Sequence, residues 1–106
     1  MKPDNFDAKL ETFMAGIKQI SDQYMEQYPE QPKPTFVQMP GKVRTKIAVC
    51  GFSGKPESVY CFIDYTTGDV LKAASWNAPA KHARGNIFDE NNGLKYMGPH
   101  GPAYLR

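Results

Sequence analysis

The stretch FDAKLETFMAGIKQISDQYMEQY, residues 6–28, is where the fold is decided. Its apolar side chains fall at Phe6, Leu10, Phe13, Ile17, Ile20, Tyr24 and Tyr28, in steps of 4, 3, 4, 3, 4 and 4. That spacing lines them up along one side of an α-helix. Asp4 or Asn5 can cap the first turn, and Asp7 and Glu11 suit its positive end. Pro29 stops the run, because a proline disfavours helical geometry in the residue before it. A helix of about 24 residues is roughly 36 Å long, more than one small sheet needs as a partner. The surplus stripe is expected either to pair with a second copy, as a homodimer through the N-terminal helix, or to dock on another protein. The plainer alternative is a helix whose end frays beyond the sheet.

Around this helix, the 106 residues fit one domain with a modest core. Residues 29–41 hold Pro29, Pro32, Pro34, Pro40 and Gly41 and read as an extended connector. Three strands are expected next, Lys42 to Phe52, Val59 to Tyr65 and Val70 to Trp76. They are separated by the turn sequences Ser53-Gly54-Lys55-Pro56 and Thr66-Thr67-Gly68-Asp69. Asn77 to Gly85 reads as a short second helix, with Asn77 as its cap, Pro79 in its first turn and Gly85 at its end. Leu94 to Met97 reads as a short edge strand, and residues 98–102 as irregular. The expected fold is therefore α+β: a long amphipathic helix on a three-stranded antiparallel meander (residues 42–76), then a short helix and an extended tail (77–106).

Charge is distributed unevenly. Residues 1–32 carry three lysines against six carboxylates; residues 33–106 carry ten Lys or Arg against five. An acidic helix is thus joined to a basic body that suits a phosphate-bearing partner. Mutual attraction of the two halves explains the same pattern without a ligand. No apolar run approaches the 18 or so residues of a membrane span, and no secretory leader pattern is present. A cytoplasmic location is expected, with Cys50 and Cys61 reduced.

Alternation along the strands suggests two faces. Ile47, Val49, Cys61, Ile63, Leu71 and Ala73 would meet the helix. Arg44, Lys46, Tyr60, Phe62, Lys72 and Trp76 would face outward. Rings interleaved with cations are what single-stranded nucleic acid uses, its bases stacking and its backbone neutralised. The competing use of that face is as a bed for Ile87, Phe88, Leu94, Tyr96 and Leu105. A second cluster, Lys81, His82, Arg84 and Asn86, offers a guanidinium fork for phosphate beside Gly85; the same cations also suit the carbonyl end of a short helix.

Catalysis and metal binding have little to stand on. Cys50, Cys61, His82 and His100 lack the spacing of zinc modules. No phosphate loop, dinucleotide fingerprint or carboxylate cluster is present. A non-enzymatic binding role without a cofactor is expected.

Residues 59–106 also resemble a group of small accessory proteins of tailed bacteriophages. The runs that carry the resemblance are Cys61-Phe62-Ile63-Asp64, Thr67-Gly68-Asp69-Val70, Lys72-Ala73-Ala74-Ser75-Trp76, Ala78 to Ile87 and Gly98 to Tyr104. The resemblance implies a host bacterial cytoplasm and a partner among nucleic acid, a small nucleotide signal and a host protein. It also groups Trp76, Lys81, His82, Arg84, Asn86 and Tyr104 in one site.

Overall fold

The computed structural model describes residues 3–51 and 53–102. Helix α1 runs Phe6–Met25, about 30 Å at 1.5 Å per residue. Phe6, Leu10, Phe13, Ile17 and Ser21 are its buried residues, the expected stripe ending four residues short of Met25. Asn5 precedes the helix without a side-chain cap, and Lys9 N–H bonds the Asn5 carbonyl at 3.0 Å. Lys18 pairs with Asp22 at 2.7 Å and also donates to the Pro34 carbonyl at 3.1 Å, which fastens the following segment to the helix.

The sheet has five strands: β1 Thr35–Pro40, β2 Arg44–Cys50, β3 Pro56–Asp64, β4 Asp69–Ala73 and β5 Pro79–Asn86. They lie in the order β1-β2-β3-β4-β5, each antiparallel to its neighbour. A two-stranded hairpin, β6 Met97–Gly98 and β7 Gly101–Pro102, completes the described chain.

This corrects the expected three-stranded meander with a second helix. The connector contains a strand, because Thr35-Phe36-Val37-Gln38-Met39 is a β-prone run bordered by Pro34 and Pro40. Proline is tolerated at the end of an outer strand, where its missing N–H breaks no ladder. The segment expected to be helical is β5. Its helix signals are local, and two turns of helix barely offset their own nucleation; the open side of β4 offers a ladder instead. Residues 74–78 form the turn into it, with Ala74 N–H and Ser75 N–H on the Ala78 carbonyl at 2.9 and 3.0 Å. Gly85 suits a strand here, since a β-carbon would stand 3.0 Å from the Gly93 carbonyl oxygen. Residues 98–102, expected to be irregular, form most of the small hairpin. Phe52 and Leu105 lie outside the described residues.

The core fills the space between α1 and one face of the sheet. Phe6, Leu10, Phe13 and Ile17 meet Ile47, Cys61, Ile63 and Val70, all within 1% of full burial. Each such side chain contributes about 1.5–3 kcal/mol. Ile87 and Met97 join the same core, and Phe88 and Leu94 pack against it. Leu94 lies against Gly16 in the space a β-carbon would take. Ile87, Phe88, Leu94 and Met97 therefore pack on the helix side of the sheet, while Tyr96 is exposed.

One irregularity decides which residues reach the other side. The β2–β3 register passes from Ile47↔Cys61 to Ala48↔Val59, leaving Tyr60 as an extra residue. A bulge turns two consecutive side chains to one side. Tyr60 and Cys61 accordingly both belong to the core.

Candidate functional site

The outer face of the sheet is set by the cross-strand pairs Met39↔Lys46, Lys46↔Phe62, Phe62↔Leu71 and Leu71↔Ala83. Residues directly opposite one another share a face, so these five residues form a row across all five strands. Arg44 lies two residues from Lys46 on the same strand, and Lys42 two further back in the β1–β2 turn. Successive same-side residues on a strand are about 6.6 Å apart, so β2 and its lead-in present cations at regular intervals.

The β1–β3 part of this face forms a groove of about 400 Å³, walled by Met39, Pro40, Gly41, Lys42, Val43, Arg44, Lys46, Phe62 and Asn77. No carboxylate is among them. Phe62 is 3% exposed and forms the floor; Val43 is 56% exposed at the rim. Lys46 Nζ stands 4.1 Å from the ring centroid of Trp76 and donates to Asn77 Oδ1 at 3.2 Å. The two contacts hold the 74–78 turn beside the groove, where Asn77 forms part of the wall and Trp76 is 40% exposed.

Arg44 is the least satisfied group in the groove. Its Nε is buried with no hydrogen-bond partner. Asp64 is opposite it in the register, yet Asp64 Oδ1 already accepts from Thr66 N–H at 2.8 Å and Thr67 N–H at 3.0 Å. That oxygen is thus engaged in shaping the β3–β4 turn. A buried N–H without an acceptor costs about 1–3 kcal/mol.

The other expected site residues are dispersed. Tyr60 was expected on the outer face and is 1% exposed in the core, turned there by the bulge. Its hydroxyl donates to the Gly98 carbonyl at 2.6 Å. Lys72 was also expected outside, but Leu71 takes that face by pairing with Phe62, and Lys72 Nζ donates to the Pro102 carbonyl at 2.8 Å. Asn86 works as a turn lock: Nδ2 donates to the Thr67 carbonyl at 2.7 Å and Asp69 Oδ1 at 3.0 Å, while Oδ1 accepts from Phe88 N–H at 2.8 Å. Arg84 donates to the His82 carbonyl on its own strand. Lys81 and His82 are exposed on β5. Tyr104 lies outside the described residues. Of the expected site, Lys46 and Trp76 are brought together. Lys42, Val43 and Asn77 complete the groove, and the alternation Lys42, Arg44, Lys46 was the signal in the sequence that marks it.

Elsewhere the chemistry is quiet. Cys50 and Cys61 are free thiols, both buried, and burial pushes the Cys61 thiol well above its ordinary range. Such a thiol is an inert packing group. Among the described residues no cluster of three His, Cys, Asp or Glu side chains is placed to hold a metal, and no helix is long and apolar enough to cross a membrane.

A model described as a family of unknown function, DUF7717, matches residues 7–100. No curated protein and no solved structure matches the chain.

Proposed function

We propose, from the premise that the chain belongs to the family of unknown function DUF7717, that its outer sheet groove binds single-stranded nucleic acid. The observation that carries the reading is the open basic face itself. Lys42, Arg44 and Lys46 line a groove without a carboxylate, beside an exposed indole. Of the apolar residues that compete for such a face, Ile87, Phe88 and Leu94 pack on the helix side instead, and Tyr96 is exposed.

The chemistry divides between the two kinds of side chain. Phosphates lie along β2, where the Arg44 guanidinium supplies a fork beside Lys42 and Lys46. A base stacks on Trp76. In the free protein Lys46 covers that ring, a contact worth about 0.5–1 kcal/mol at an exposed site. Stacking a base contributes about 1–3 kcal/mol. The exchange therefore favours the base, and it releases Lys46 toward a phosphate.

The groove's volume of about 400 Å³ also suits one nucleotide, within the roughly 300–1,000 Å³ of small-ligand sites. Sequestration of a nucleotide is accordingly the second reading. The likeness of residues 59–106 to small phage proteins fits either reading in an accessory role within an infected cell. A helix-docked inhibitor of a host protein has less behind it, because α1 buries its stripe from Phe6 to Ser21 within this chain.

Titration of a labelled oligonucleotide across a salt series tests the reading. Three phosphate contacts give a logarithmic salt slope of about −2 on a single strand. Absence of binding at low salt would overturn it. Saturation by a mononucleotide, with no gain from a longer strand, would select the second reading.

A further inference from the structure

The sheet has two outer strands, and they are finished differently. β5 carries Lys81, His82 and Arg84 and no carboxylate. Its ladder with β4 is irregular between Val70 and Leu71 and again between Leu71 and Ala73, and the Arg84 guanidinium covers the His82 carbonyl. Charge and bulges are the usual means by which a sheet edge is kept from pairing with another chain. β1 has neither. Thr35 to Met39 contain no charged side chain, and the register with β2 runs unbroken from Thr35↔Cys50 to Pro40↔Thr45. Among the described residues no strand pairs with its outer side. Pro40 closes one end, leaving five residues, about 17 Å of ladder.

We infer that this edge pairs with β1 of a second copy of the chain, antiparallel about a two-fold axis at Val37. That axis sets Val37 against Val37 of the second copy, Thr35 against Met39, and Phe36 against Gln38. All are uncharged, so two identical edges meet without repulsion. A partner selected by charge would find nothing on this edge to select it. The arrangement also closes. Each copy uses the same patch, and the outer strands that remain are the two protected β5 strands, so pairing stops at a dimer. The axis stands perpendicular to the sheet, which places both helices on one side and both grooves on the other. Met39 and Pro40 line the groove and belong to the paired strand, so pairing brings two basic grooves onto one surface. The pairing does not depend on what the groove binds.

Sedimentation velocity of the full chain, from low micromolar to near-millimolar concentration, tests this. The wild type sediments as a dimer at the upper end. Val37→Lys is monomeric with an unchanged circular dichroism spectrum, while Val37→Thr remains dimeric. Val37→Cys, with Cys50 and Cys61 buried, forms a disulfide-linked dimer under mild oxidation even if the lysine variant folds poorly. A wild type that is monomeric throughout would overturn the inference. So would a dimer that survives in Val37→Lys, or Val37→Cys that does not cross-link. Oligonucleotide binding measured on the same samples keeps this outcome separate from that of the groove.

Discussion

The Tyr60 hydroxyl donates a 2.6 Å hydrogen bond to the Gly98 carbonyl, fastening β3 to the β6–β7 hairpin across 38 positions of sequence. The ring itself stands edge-on to Phe36, with centroids 5.4 Å apart and planes at 86°. Tyr60→Phe keeps the ring packing and loses the bond. The expected cost is about 1 kcal/mol in urea unfolding, with oligonucleotide affinity unchanged, because Tyr60 lies on the side of the sheet away from the groove.

Arg44 bears the opposite prediction. Its charge-assisted bonds to phosphate should contribute about 2 kcal/mol, so Arg44→Ala weakens single-strand binding roughly thirtyfold. The loss should be alike for all sequences, and the salt slope should become shallower by about 0.7. Lys72→Ala is the matched control. It removes the same charge from a side chain fastened to the Pro102 carbonyl, and should leave the slope in place. Equal effects of the two variants would mean a general field and no specific groove.

Trp76 is the chain's one tryptophan, so its emission reports the groove directly. Ligand binding should change that emission as the Lys46 ammonium leaves the ring and a base takes its place. Trp76→Ala should cost about 1–3 kcal/mol of affinity, and Trp76→Phe less. Lys46→Met should raise the emission change per base bound while weakening the phosphate contact. Unaltered emission at saturating oligonucleotide would remove the stacking step.

Alkaline pH should destabilise the fold. Burial raises the Cys61 thiol and the Tyr60 phenol above their ordinary values. A group whose folded pKa lies above its unfolded one stabilises fully below the unfolded value. That share is lost as pH rises past it, because the folded state then binds more protons. With an unfolded thiol near pH 8.5, the thermal midpoint should fall progressively from about pH 8.5 upward. Cys61→Val should flatten the first part of that fall. Native Cys61 should resist a thiol reagent at neutral pH and react only on unfolding.

How far the sequence could be read varied with the kind of information each feature depends on. The helix stripe from Phe6 to Ile17 was legible because a helix repeats by local geometry alone. The alternation of Arg44 and Lys46 was equally local and set both on the outer face, although the Lys42 that extends it went unread. β5 was misread because Asn77, Pro79 and Gly85 satisfy helix-end rules taken one at a time; the unpaired edge of β4 that recruits them is distant in sequence. The faces of Tyr60 and Lys72 were misassigned through phase. A single extra residue at Tyr60 reverses the alternation of β3 from Tyr60 back toward its start, leaving Cys61 to Ile63 in the expected phase, and β4 places Leu71 outside and Val70 inside.

By itself the sequence determined what repeats over short distances: one amphipathic helix, β-prone runs between turn residues, an acidic first third and a basic remainder. Tertiary structure alone decided how many strands the sheet has, which side of it Ile87, Phe88 and Leu94 cover, and therefore which cations line the groove beside Trp76. The physical reason is that strand pairing and face selection join residues tens of positions apart. Their free energy comes from burial and ladder bonds that no local run of side chains contains.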